Sequence, residues 1–125
     1  MAEFSIPVRV YYEDTDMAGI VYYANYLKYI ERARSDWVRG LGVDQNALKD
    51  TGTVFAVRRI EADYLAPARL DDMLTITVVP HSATAARAVL HQEVRRGATV
   101  LFKAVVTVVA IGSNGRATRL PAVMR

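Results

Sequence analysis

The spacing of apolar residues changes period once in the first third of the chain. Across Ile6–Glu13, IPVRVYYE, the apolar Val8, Val10 and Tyr12 alternate with Arg9 and Tyr11, the two-residue period of a strand that ends on Glu13 facing water. From Ala24 to about Leu41 the period lengthens. Tyr26, Ile30, Ala33, Trp37 and Leu41 recur at steps of four, three, four and four, which gathers them on one helical face. Lys28, Glu31, Arg32, Ser35, Asp36 and Arg39 fill the remaining positions, and Arg32 and Asp36 are spaced to pair. Gly40 and Gly42 mark the end of that helix. Val43–Asp50 allows one more short helical piece.

Everything that follows reads as strands. Val54–Leu65 is rich in Val, Phe, Ile and Tyr and runs into the proline-containing turn APARLDD. Met73–Val79 is expected to stop at Pro80. In Ala86–Arg96, Ala88, Leu90 and Val94 fall on one side and Val89, His91, Glu93 and Arg95 on the other. Thr99–Ile111 is nearly all apolar, as in a strand buried on both faces. GSNGR at Gly112–Arg116 supplies an Asn-Gly turn. One strand, one long helix and four strands joined by short turns predict an α+β fold, a five-stranded antiparallel sheet with the helix packed on it. One helix covers only part of such a sheet, so its open apolar edge and face predict oligomerisation.

Composition narrows the class. With 125 residues, 52% hydrophobic and 23% charged, the chain is expected to form one folded domain over residues 1–125 rather than a disordered segment. It has no cysteine, which removes disulfides, thiolate zinc sites and cysteine nucleophiles. MAEFSIP at the start does not read as a signal peptide. The longest apolar run, Ala104–Ile111, is far below the roughly 20 residues a bilayer-spanning helix needs. A cytoplasmic protein without membrane insertion is the expectation. A net charge of +3 is scattered, and no nucleic-acid motif accompanies it. A small polyanionic ligand fits that charge as well.

The chemistry concentrates in YEDTDMAGIVYYANY, Tyr12–Tyr26. Glu13, Asp14 and Asp16 lie just before the helix, with Gly19 in the turn. The first N–H groups of a helix are unpaired and sit at the positive end of its dipole, so they can hold an oxyanion. A carboxylate beside them can act as base or nucleophile on a carbonyl held there. Asp16 is the candidate for that role. Acidic residues in such turns also serve as turn formers and caps, the role expected for Asp14, and the residues alone leave both readings of Asp16 open. His81 and His91 lie ten apart with no third ligand at metal spacing. The chain contains no GxSxG elbow and no phosphate loop. No cofactor is expected.

Val8–Gly42, VRVYYEDTDMAGIVYYANYLKYIERARSDWVRGLG, together with DYLAPARLDDML at Asp63–Leu74 and RLP near the end, resembles the hotdog-fold acyl-CoA thioesterases. The likeness is to the 4-hydroxybenzoyl-CoA thioesterase superfamily and its Tol-Pal-associated branch. It implies a sheet wrapped around one central helix, homodimers or homotetramers (dimers of dimers), and sites at the subunit interface. It implies Asp16 as the catalytic aspartate, an oxyanion donor at Tyr23, and substrate contacts at Gly19, Tyr22 and Ala24. Arg87 is the one basic residue retained where relatives bind the phosphates of coenzyme A. Members of the Tol-Pal-associated branch usually carry histidine where this chain has Tyr23, so side-chain acid–base help is absent there. The implied activity is hydrolysis of an acyl-CoA, with an acyl carrier protein as a further partner. The alternative is a module that binds acyl-CoA or acyl carrier protein without turnover.

Overall fold

A computed structural model of the chain describes residues 2–125. Its elements are β1 (Phe4–Arg9), α1 (Asn25–Gly40), α2 (Gln45–Asp50), β2 (Val54–Tyr64), β3 (Met73–Ala83), β4 (Arg87–Arg96), β5 (Thr99–Ile111) and a short β6 (Ala117–Thr118). The main strands form one antiparallel sheet in the order β1-β3-β4-β5-β2, with β6 paired to β5.

The 3.6-residue period places Tyr26, Ile30, Ala33 and Trp37 in the core, and Tyr29 and Val38 join them. They meet the inward side chains of β3, β4 and β5, among them Ile76, Val78, Leu90, Val94, Phe102 and Val106. On β5 the buried residues alternate with half-buried ones. This corrects the expectation of burial on both faces: Lys103 is exposed, and so one face of the sheet is outward.

Two boundaries and one ion pair depart from the sequence reading. β1 ends at Arg9 and not at Glu13, because Val10 turns away to exchange main-chain bonds with the 71–72 turn, and Tyr12–Asp14 closes into a 3₁₀ turn. Glu13 is exposed on that turn. β3 continues past Pro80 to Ala83. Proline lacks the N–H a ladder needs, yet the pairing of β3 with β1 has already stopped at Val78, and the register with β4 shifts between Pro80 and Ser82. Asp36 pairs with Arg39 and not with Arg32, whose guanidinium lies 5.7 Å from the centroid of the Tyr29 ring.

Helix α1 packs chiefly on β1, β3 and β4, while β2, beside its pairing with β5, meets chiefly α2 and, at its Tyr64 end, the rings of Tyr23 and Tyr26. Phe55, Val57, Ile60, Ala62 and Tyr64 share the inner face with buried β5 residues, but only Phe55 among them is even half-buried. The sheet therefore carries an apolar strip at its β2 edge that the described residues leave largely exposed.

Candidate active site

The acidic segment folds as a loop fixed at several points. Asp14 shapes it: its Oδ2 accepts the Tyr11 N–H at 2.9 Å, and its carbonyl accepts both the Tyr22 N–H and the Asn25 side-chain amide, each at 2.9 Å. Asn25 opens α1, so one peptide oxygen ties the loop to the helix start. Asp16 N–H donates to the Ile20 carbonyl at 2.9 Å, and Gly19, with φ +79°, closes the turn by donating to the Asp16 carbonyl. A side chain at Gly19 would meet open space, so the backbone angle is what calls for glycine there. A bridge between Thr15 and Val21 lays Asp16 beside the segment that enters the helix.

The DYLAPARLDDML motif holds this loop from below. Val21 N–H donates to the Ala68 carbonyl at 2.9 Å, and the Ala68 N–H donates to the Tyr26 hydroxyl at 2.9 Å. Asp72 accepts the Arg69 N–H and pairs with Arg96 at 2.8 Å. Burial alone would raise the Asp72 carboxyl, but the Arg69 N–H and the Arg96 guanidinium outweigh it and hold the group below the usual carboxylate range.

Asp16 itself is exposed. Its Oδ1 accepts the Ala18 N–H at 2.9 Å, the Asx turn that the plainer reading expects. Its Oδ2 has no hydrogen-bond or ion-pair partner among the described residues. At the helix start the amides divide. Tyr22 N–H is taken by Asp14, whereas those of Tyr23 and Ala24 have no acceptor among the described residues. The Tyr23 and Ala24 amides are thus open to an acceptor, whereas that of Tyr22 is occupied. An apolar cavity of about 330 Å³ opens beside them, lined by Ile20, Tyr23, Tyr26, Tyr64 and Leu65.

Asp16, Gly19, Tyr22, Tyr23 and Ala24 thus share one end of the fold. Arg87 does not. It pairs with Val109 on β5, whereas Tyr64 pairs with Phe102; seven residues at about 3.3 Å each put it roughly 23 Å away along the sheet. The sequence reading missed Tyr64, whose hydroxyl donates to the Tyr23 carbonyl at 3.0 Å. It also missed the stack of His81 on His91, 4.2 Å between centroids, because it forms where the β3–β4 register shifts, with His91 opposite Val79 and His81 outside the ladder. Among the described residues no three His, Asp or Glu side chains gather as metal ligands would.

Two tyrosines lie behind the site. Burial raises the Tyr26 phenol, partly offset by the Ala68 N–H. Tyr29 is fully buried with no hydrogen-bond partner, and burial followed by the negative charge of Asp14 pushes its phenol well above the ordinary value.

A profile described as the thioesterase-like superfamily matches residues 10–125. The chain belongs to the thioesterase-like superfamily. Its relatives there include the acyl-CoA thioesterase YbgC of Haemophilus influenzae, 39% identical over 86% of this chain and 80% of that protein. The acyl-CoA thioester hydrolase YbgC of Escherichia coli O6:H1 is 52% identical over 58% of this chain, a match spanning 54% of that protein's length. Among solved structures, a probable thioesterase from Bartonella henselae superposes with a TM-score of 0.92 at 34% identity, covering 96% of this chain and all of that one. The antiparallel sheet with one long helix is thus the hotdog arrangement of this thioesterase superfamily, as the resemblance implied.

Proposed function

We propose that this protein hydrolyses an acyl-CoA to a free acid and coenzyme A at the helix start. The observation that carries the reading is that a carboxylate oxygen, Asp16 Oδ2, and two helix-start amides, Tyr23 and Ala24, all lack partners among the described residues on the one hydrogen-bonded segment that leads into α1. The thioester carbonyl oxygen docks on those amides. Asp16 either removes a proton from water as its oxygen adds to the carbonyl carbon, or attacks that carbon directly to form an anhydride that water then opens. In both routes the tetrahedral oxyanion is held by the Tyr23 and Ala24 N–H groups, each such donor being worth about 3 kcal/mol. The carbon–sulfur bond then breaks, and the thiolate leaves and takes up a proton. A thiolate needs little help to leave, so tyrosine in place of histidine at position 23 leaves the reaction type unchanged.

The same reading makes residues 1–125 one hotdog domain and the β2 edge a subunit interface. Joining two β2 strands antiparallel covers the strip Phe55–Tyr64 and turns the Arg87 end of one sheet toward the helix start of the other, where Arg87 serves the phosphates of coenzyme A. A dimer of dimers through the outer sheet face, a cytoplasmic setting, membership of the Tol-Pal-associated branch (supported by DYLAPARLDDML) and an acyl carrier protein as partner complete it.

The test is thiol release from a panel of acyl-CoAs by wild type and Asp16→Asn. We expect the variant to lose about 100-fold or more in kcat. Equal turnover by both proteins would remove Asp16 from the mechanism. Tight acyl-CoA binding without turnover by wild type would establish the alternative, a binding module.

A further inference from the structure

The helix start carries one contact that the mechanism above does not use. Main-chain donors satisfy the neighbouring carbonyls: Tyr22 oxygen accepts the Asn25 N–H at 2.8 Å and Ala24 oxygen accepts the Leu27 N–H at 3.2 Å. The carbonyl between them, that of Tyr23, receives a side-chain donor from 41 residues away, the Tyr64 hydroxyl at 3.0 Å. This carbonyl belongs to the peptide unit whose N–H is that of Ala24.

We propose that Tyr64 is a positioning residue for thioester hydrolysis, its hydroxyl fixing and polarising the Tyr23–Ala24 peptide so that the Ala24 N–H becomes the stronger oxyanion donor. The proposal rests on the thioesterase reading and adds a residue to its machinery. A hydrogen bond accepted by a peptide oxygen draws charge toward that oxygen and strengthens donation by the N–H of the same unit, by about 10–30% per bond. It also removes the freedom of that peptide plane to tilt, and an oxyanion hole depends on donors already aimed before charge develops.

The geometry is built for this. The Tyr64 ring is held by edge-on contacts with Phe102 at 4.9 Å, Tyr26 at 5.6 Å and Tyr23 at 6.1 Å. Three aromatic neighbours set the ring so that the hydroxyl reaches one acceptor. Tyr64 is 48% and Tyr23 62% exposed and their bond lies at the surface, so the hydroxyl is not there to satisfy a buried polar group. A tyrosine phenol is protonated throughout the neutral range, and burial, followed by the neighbouring Tyr23 and Tyr26, raises this one further. Tyr64 is also the last residue of β2. The edge strand that awaits a partner therefore ends on the group that aims an amide of the site.

Tyr64→Phe removes the hydroxyl alone and leaves the ring contacts in place. Its kcat is expected to fall about 10-fold, a fraction of the 100- to 1000-fold carried by a whole oxyanion donor, with KM within twofold. Ala24→Pro deletes the N–H itself at a residue whose φ of −70° suits proline. Introducing Tyr64→Phe into that background is expected to cost nothing further, because the donor it serves is gone. A 15N spectrum of the unliganded protein gives a readout independent of turnover: the Ala24 amide should move upfield in Tyr64→Phe while amides of β3 and β4 stay in place. An unmoved Ala24 amide, unchanged kcat in Tyr64→Phe, or losses that multiply fully in the double variant would each overturn the proposal. A wild type that turns over no acyl-CoA overturns the thioesterase reading and this role with it; an active wild type with an unaffected Tyr64→Phe overturns this role alone.

Discussion

Replacing Tyr26 by phenylalanine isolates one buried hydrogen bond on which the site rests. The Tyr26 ring stacks on Phe102 at 5.2 Å and meets Tyr29 and Tyr64 edge-on, and phenylalanine keeps those contacts. What it loses is the hydroxyl that accepts the Ala68 N–H. Ala68 is fully buried and Tyr26 only 3% exposed, so no water replaces the acceptor. An unsatisfied buried N–H costs about 1–3 kcal/mol; we take about 2 kcal/mol. With unfolding entropy near 2.1 cal/mol/K per residue, a 125-residue chain would melt roughly 8 °C lower. Urea unfolding at fixed protein concentration is the assay, since assembly would otherwise shift the midpoint. The midpoint should fall with the slope unchanged. Because the Ala68 carbonyl also holds Val21, the loop carrying Asp16 should exchange its amides faster in the variant. A loss below about 0.5 kcal/mol would refute the reasoning, for it would mean that the Ala68 amide finds another partner.

Two further predictions concern the edge strand and the turn. Ile60→Asp puts a charge into the bare strip of β2, at a side already 36% exposed in the single chain. The lone subunit should fold normally and light scattering should report a single-chain mass, whereas an undisturbed oligomer would rule out the β2 edge as the interface. Asp72→Asn should lower stability at pH 7. A carboxyl held below its ordinary value stabilises the fold above about pH 4 and ceases to do so as pH falls through its folded value. The gap between wild type and variant in urea titrations should close below pH 4, and a gap independent of pH would contradict the ion pair with Arg96.

The helix was legible because its period is carried by large apolar residues with nothing to contest it. The strand order was not. Only long-range pairing sets β5 between β4 and β2, and no local pattern reports it. The end of β1 was misread since Tyr11 and Tyr12 continue the alternation, while Asp14 captures the Tyr11 amide and turns the chain. Asp16 stood out for its place before a helix, but the division between occupied Tyr22 and unoccupied Tyr23 and Ala24 amides depends on where the Asp14 carbonyl points. Gln92 shows the same limit. It sits in an apolar stripe, fully buried, donating to the Ile30 and Thr77 carbonyls and accepting from Arg34; each of those partners lies on another element.

Position 23 has a consequence for how such chains diverge. The residue is 62% exposed and lines the cavity, and on the proposed mechanism what it offers a substrate is a main-chain N–H. Every residue except proline supplies that group. Drift at this position therefore leaves the donor untouched while altering the mouth of the cavity, so substrate preference can wander without the reaction being lost.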